Sequence, residues 1–485
     1  MLDFRRIEFG QADAKEEGQN FPRLLMQGYF DASGIVEKAL GKATFIFLGY
    51  KGSGKTALGE HIKLMHNNAT TRVEIELLDS FPFKRLAKIE SGDSDLSAKL
   101  CTAWNWVLLV SAFAMIDGVE DVQVEDREGW MRTKAELSKM GLMAASRFSD
   151  IVKQSSKNTF KGNLKVFEFA HEVLCGADAI SLDGLISYMK HLLSSVHTDT
   201  RQYLIIDGLD EILSENGLQL QAIAALITQS KLLNSFYSEK NLPFKIIILC
   251  RTDIFERLEL PNLNKIKQDS AYKISWFDES IADDYSNNEL MQIVNRRASL
   301  QYPDGGDIFE TFFPKEYNGK EIRQALLDYT RHTPRDLLQL LKRIQGYCTT
   351  EKVSEKAIRK GIKAYCSVYF LSEIKDEMVG YASPTEKEMI IQFLQSPFIV
   401  RNKWSDKEIR DFKDANQEFK NADFYKIFKV LFDCSALGLV EEADKPETPE
   451  ANDKNFFKYR NPNRIFPKGM KMRLHSALWE AIRWG

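Results

Sequence analysis

Residues Phe45–Leu58 read FIFLGYKGSGKTAL: an apolar run, a glycine-rich turn closing on Gly-Lys-Thr, and the beginning of a helical pattern. A buried strand running into GxxxxGK[ST] and then a helix is how a chain cradles the phosphates of a nucleoside triphosphate. Gly49, Gly52 and Gly54 allow a tight loop whose backbone N–H groups point inward at an anion. The expected lining is Gly49, Tyr50, Lys51, Gly52, Ser53, Gly54, Lys55, Thr56 and Ala57. Lys55 would reach the β- and γ-phosphates, and Thr56 would offer its hydroxyl to Mg2+.

A second apolar run, Gln202–Ile206 (QYLII), ends in Asp207-Gly208-Leu209-Asp210-Glu211. A carboxylate emerging from a strand beside the phosphate loop can hold Mg2+, directly or through water, and that is the role expected of Asp207. Glu211, or failing that Asp210, would orient the attacking water; both could instead cap the helix that follows. A third buried run, Phe244–Cys250 (FKIIILC), ends in Arg251-Thr252-Asp253. Open α/β sheets place ligand contacts at such strand ends, so Thr252 or Asp253 is a candidate sensor of the γ-phosphate. A plain strand cap is the alternative. Arg251 could stabilise the transferring phosphoryl group in its own chain or face a neighbouring subunit. Thr333-Pro334-Arg335-Asp336 opens a helix, with Thr333 suited to the N-cap and Pro334 to the first turn. Arg335 would then sit near the start of a lid helix, within reach of the γ-phosphate; the competing reading is an ion pair with Asp336 or another acid.

The chain has 485 residues, 44% hydrophobic and 28% charged, with a formal net charge of -3. It is too long for one ordinary core, and its composition is globular rather than disordered. Near-neutrality announces no global affinity for nucleic acid. Cys101, Cys175, Cys250, Cys348, Cys366 and Cys434 are widely spaced, as for thiols of a reducing compartment. The seven histidines show no zinc-ligand spacing. No signal-peptide pattern opens the sequence, and Trp104–Met115, the most apolar stretch, is too short to span a bilayer and reads as a buried helix. A cytoplasmic protein without a membrane partner is expected.

The fold expected is α/β: a P-loop NTPase core with a parallel sheet, a helical insertion, a helical lid and a C-terminal winged-helix-like domain. The boundaries are 1–40 for an N-terminal segment packing on the core, 41–277 for the core with its insertion at about 84–200, and 278–350 for the lid. A connecting helix covers 351–380, and 381–485 forms the last domain, with strands at Leu437–Glu441 and Asn455–Arg460. From 454 to 475 there is no Asp or Glu, and Lys454, Lys458, Arg460, Arg464, Lys468, Lys471 and Arg473 interleave with Phe456, Phe457, Tyr459 and Phe466. Such a strip can track DNA or another nucleic acid, dock on protein, or face solvent.

Taken together, GYKGSGKTAL at 49–58, YLIIDGLDE at 203–211, CRTDIFERL at 250–258 and HTPRDLLQLLKRI at 332–344 resemble the AAA+/STAND-like P-loop ATPases. Within them the chain is similar to a group of bacterial P-loop ATPases named after a cyanobacterial open reading frame and found in anti-phage defence islands. The opening FGQADAKEE at 9–17 and the terminal LHSALWEAI at 474–482 fit the same group. The resemblance implies ATP and Mg2+ as cofactors and Walker roles for Lys55, Thr56, Asp207 and Glu211. It implies sensor roles for Arg251–Asp253 and Arg335. DGLDE departs from the adjacent Asp-Glu pair of many AAA+ proteins, which leaves efficient turnover and slow switching both open. The implied activity is that of an oligomerising ATPase switch or motor subunit with a separate effector protein as partner. A DNA-binding initiator or loader ATPase and a nucleotide-bound scaffold with little turnover are the alternatives.

Overall fold

The apolar run before the glycine-rich turn is a strand, β1 (Ile46–Gly49), buried along its whole length. It leads through the turn into a helix, α1 (Lys55–His66). The computed structural model describes residues 2–90, 95–143, 147–157, 181–209, 217–277, 285–396, 398–399, 402–441, 454–461, 463–467 and 469–483. These fall into two units, one of Asp31–Lys51 and Lys55–Ile274, the other of Met1–Phe30, Gly52–Gly54 and Ser275–Gly485.

In the first unit β1 joins β2 (Thr71–Leu77), β3 (Arg201–Asp207), β4 (Phe244–Arg251) and β5 (Ala271–Lys273) in one sheet. Their order is β2-β3-β4-β1-β5, and every pairing is parallel. A parallel sheet is covered on both faces, which is why β3 and β4 are continuous in apolar residues rather than alternating. One covering element is α2 (Leu96–Asp117), which lies in the chain between β2 and β3. By length and composition α2 could cross a membrane, but 67% of its apolar window is buried inside the protein. Its indoles are anchored as a core helix requires: Trp104 Nε1 donates to the Ala222 carbonyl at 2.8 Å, and Trp106 Nε1 donates to Ser155 Oγ at 2.9 Å. Ala222 belongs to α3 (Gly217–Glu239), which precedes β4.

The second unit is helical and then antiparallel. Its helices include α4 (Glu289–Ser299), α5 (Pro334–Gln345) and α6 (Glu355–Ala364). α6 runs on through a π-helical stretch, Tyr365–Phe370, into Leu371–Glu377. A four-stranded antiparallel sheet follows, in the order β6 (Lys403–Trp404), β9 (Lys471–Leu474), β7 (Leu437–Glu441), β8 (Lys454–Phe457). Two of these strands go beyond the pair expected from sequence. In β9 charged and apolar residues alternate, with Met472 and Leu474 buried, so a stretch counted only as basic is a half-buried strand.

Of the N-terminal segment expected on the α/β core, residues 31–40 belong to the first unit, while residues 2–30 make their contacts within the second. Phe4 packs against Phe9, Phe312 and Phe313. Arg297 of α4 forks onto Glu17 at 2.7 and 3.0 Å and donates to the Phe9 carbonyl at 2.6 Å. The apolar side chains Phe4, Ile7 and Phe9 complete the core of the helical cluster, and that burial decides where the segment goes.

Candidate functional site

In a parallel sheet the loops at the C-terminal strand ends lie together at one edge. Gly49 ends β1, Asp207 ends β3 and Arg251 ends β4, so the three sequence motifs share that edge. β4 lies between the other two strands. Lys55, the first residue of α1, is only 4% exposed. Its ammonium curls back over the loop and donates to the carbonyls of Gly49 at 3.2 Å and Tyr50 at 3.3 Å. Thr56 and Ala57 follow it in the first turn of the helix.

Gly52 and Gly54 have φ of 81° and 93°, the left-handed region that favours glycine. Around Gly54 a Cβ would meet nothing within 4 Å, so the backbone there stays open to an approaching group. Ser53 is buried, and its Oγ has no hydrogen-bond partner among the described residues. Lys51, two residues before it, is half-buried.

The tip Gly52–Gly54 makes its contacts within the second unit. Trp276 Nε1 donates to the Ser53 carbonyl at 2.8 Å, and the Arg335 N–H donates to the Gly52 carbonyl at 3.4 Å. A Cβ on Gly52 would come within 3.1 Å of Thr333 Oγ1 and 3.2 Å of Arg335 Cβ. Arg335 therefore meets the loop through its backbone.

Asp207 is 4% exposed, and its carbonyl accepts from the Leu78 N–H at 2.9 Å. Asp210 and Glu211, the water-orienting candidates, lie outside the described residues. Arg251 is buried and forked onto Asp253: Nε to Oδ1 and Nη2 to Oδ2, each at 2.9 Å. Thr252, between them, is 1% exposed and its Oγ1 has no partner among the described residues.

The cap expected at Thr333 forms, its hydroxyl accepting from the Asp336 N–H at 3.3 Å, with Pro334 in the first turn. The acid that pairs with Arg335 is Glu373 rather than Asp336. Asp336 pairs with Arg331, whose Nε and Nη2 donate to it at 3.0 and 3.2 Å, while Arg331 Nη1 donates to Glu377 at 2.6 Å. Burial pushes the Asp336 carboxyl up, yet the Arg331 guanidinium outweighs it and holds the group below its ordinary value. Arg335 Nη1 lies 4.0 Å from Glu373.

Three participants were missed from sequence. Trp276 carries no motif, and only its indole N–H marks it. Asp79 follows β2, and its Oδ1 lies 2.3 Å from where a Cβ on Gly208 would be, so its carboxylate sits beside the end of β3. An acid just past an apolar strand is a signal that could have found it. Glu76, on β2 beside Ile206, is pushed up to about 7 by burial although its Oε2 accepts from the Phe148 N–H at 3.1 Å.

Within the basic strip Arg460 turns inward: its Nη2 lies 3.3 Å from His332 Nε2, and its guanidinium stands 5.3 Å from the Phe277 and Tyr459 rings. Arg464 covers the Phe456 ring at 3.7 Å, and Lys468 lies outside the described residues.

Comparison with known proteins finds residues 288–373 similar to a family described as the FunZ-associated C-terminal helical domain. That segment spans α4 to the start of the Leu371–Glu377 helix and includes Arg331 and Arg335. No curated protein and no solved structure matches the chain.

Proposed function

We propose that the chain is a Mg2+-dependent ATPase of the AAA+/STAND-like P-loop class, working as a self-associating switch whose effector is a separate protein. The observation that carries this reading is the seat of Lys55. A buried ammonium held by two carbonyls of its own loop, 3.2 and 3.3 Å away, is poised to exchange them for phosphate oxygens. The residues present fit a triphosphate: two left-handed glycines, an open backbone at Gly54 and orphaned hydroxyls on Ser53 and Thr252. The strand between β1 and β3 is what the additional-strand arrangement requires, as opposed to a kinase or GTPase order.

In this reading Lys55 and the backbone of Gly49–Ala57 bind the phosphates, and Thr56 and Asp207 hold the metal. Bound Mg2+ would withdraw charge from the β- and γ-phosphate oxygens. Glu211, with Asp210 beside it, orients the water. Thr252 reads the γ-phosphate, and Asp253 positions Arg251 through their forked pair. Arg335, backbone-bonded to Gly52, is the lid residue. Membership of a bacterial anti-phage defence complex rests on the resemblance of the motifs. The inward contacts of Arg460 and Arg464 weigh against a strip built to grip DNA.

The test is Mg2+-dependent ATP hydrolysis by the purified chain. Lys55→Ala should abolish nucleotide binding, and Glu211→Gln should abolish turnover while sparing binding, a loss on the order of 100-fold or more. Unimpaired turnover in both variants sinks the assignment.

A further inference from the structure

Beside the start of α5, two guanidiniums meet three carboxylates. Arg331 pairs with Asp336 at 3.0 Å, with Glu377 at 2.6 Å and with Glu373 at 3.9 Å. Arg335 pairs with Glu373 at 4.0 Å. The two arginines are held very differently. The Arg331 side chain is 5% exposed and donates three hydrogen bonds, two to Asp336 and one to Glu377. The Arg335 side chain is 29% exposed, and its pair with Glu373 is too long for a hydrogen bond. Arg331 is fixed; Arg335 can leave.

The groups that face these arginines lie along one stripe of a helix. Tyr369, Glu373 and Glu377 are spaced by four residues, which places their side chains one turn apart on the same side. All three reach the cluster: the Tyr369 hydroxyl donates to Asp336 Oδ1 at 3.1 Å, and both glutamates pair with arginine. Tyr369 lies in the π-helical stretch Tyr365–Phe370, a helical form that is rare and concentrated at functional sites.

On its other side Arg335 meets the tip of the phosphate loop. Its N–H donates to the Gly52 carbonyl at 3.4 Å, and a Cβ on Gly52 would lie 3.2 Å from Arg335 Cβ. Arg335 thus stands between the loop tip and Glu373. A guanidinium gains most from short, forked contacts to an anion, which phosphate oxygens offer and a carboxylate 4.0 Å away does not.

We propose that Glu373 is the internal competitor of the γ-phosphate for Arg335, which makes it a residue that sets the preference between ATP and ADP. The proposal rests on the reading of Arg335 as the lid residue. In the ATP state Arg335 turns from Glu373 to the γ-phosphate; in the ADP state it stays. Once Arg335 has left, Asp336, Glu373 and Glu377 share Arg331 alone, and like charges one turn apart on a helix repel. The Leu371–Glu377 helix then loosens. The antiparallel sheet feels the change, because Phe370 stacks at 4.9 Å on His475, the residue after β9.

Calorimetric titration of the full chain carrying Glu211→Gln, which removes turnover, with ATP and with ADP in Mg2+ decides it. Adding Glu373→Gln should tighten ATP about two- to fivefold, the worth of a partly exposed ion pair, and leave ADP unchanged. With Arg335→Ala also present, the same substitution should change neither. Hydrogen exchange over residues 371–377 should quicken with ATP and not with ADP. If Glu373→Gln leaves the ratio of ATP to ADP affinity alone, the proposal is overturned while nucleotide binding stands. So it is by a shift that persists without Arg335, by an equal loss of both nucleotides, which marks a purely structural role, or by exchange indifferent to the γ-phosphate. A chain that binds neither nucleotide before Glu373 is changed takes down the lid reading as well.

Discussion

Arg331 and Asp336 show what one buried charge can do for a helix start. Asp336 is fully buried and takes two hydrogen bonds from the Arg331 guanidinium, one from the Arg331 N–H and one from the Tyr369 hydroxyl. Removing the Asp336 charge leaves the buried Arg331 guanidinium to Glu377 and, at 3.9 Å, Glu373, at a cost of about 1–3 kcal/mol. Asp336→Asn should therefore lose roughly that much stability in urea unfolding. The pH dependence follows from the depressed carboxyl. Its stabilisation is fully present above the unfolded value of about 3.9 and is lost as pH falls through the lower folded value. Below pH ~4 the wild type should lose stability faster than Asp336→Asn does; parallel curves would rule the pair out as the cause. Nothing in Thr333-Pro334-Arg335-Asp336 reveals that Arg331, not Arg335, takes the acid. That choice depends on Glu377 and Tyr369, more than thirty residues along the chain.

Short polar signatures set the element boundaries more firmly than apolar runs do. Ser383-Pro384-Thr385-Glu386 and Ser405-Asp406-Lys407-Glu408 each form a reciprocal capping box, Ser383 and Ser405 at the N-cap and Glu386 and Glu408 reaching back. Ser405→Ala and Ser383→Ala should each cost about 1 kcal/mol, read as a shifted denaturation midpoint with unchanged slope. A change below a few tenths would mean that tertiary packing alone holds these helix starts. β1, β3 and β4 were legible because a strand covered on both faces is apolar along most of its length. β6 and β9 were not legible. β6 has two residues, and β9 spends half of its positions on solvent-facing charge, so neither produces a run.

At the scale of the molecule the described residues form two hydrophobic cores, one around Trp104, Phe113 and Leu204, the other around Phe4, Leu341 and Phe393. Chains with more than one core commonly unfold in more than one step. Calorimetry should give a measured enthalpy larger than the van't Hoff value; equality of the two would show one cooperative unit. The sequence by itself determined the parallel sheet and the phosphate-loop pattern, because strand burial and loop conformation are local demands that apolar runs and glycines answer directly. Only tertiary structure decided that residues 1–30 complete the helical core, that Asp253 holds Arg251, that Trp276 caps Ser53, and that Arg460 turns in toward His332. Those are pairings between distant positions or choices among equivalent charges, and they follow from which buried groups must find partners once the core has closed.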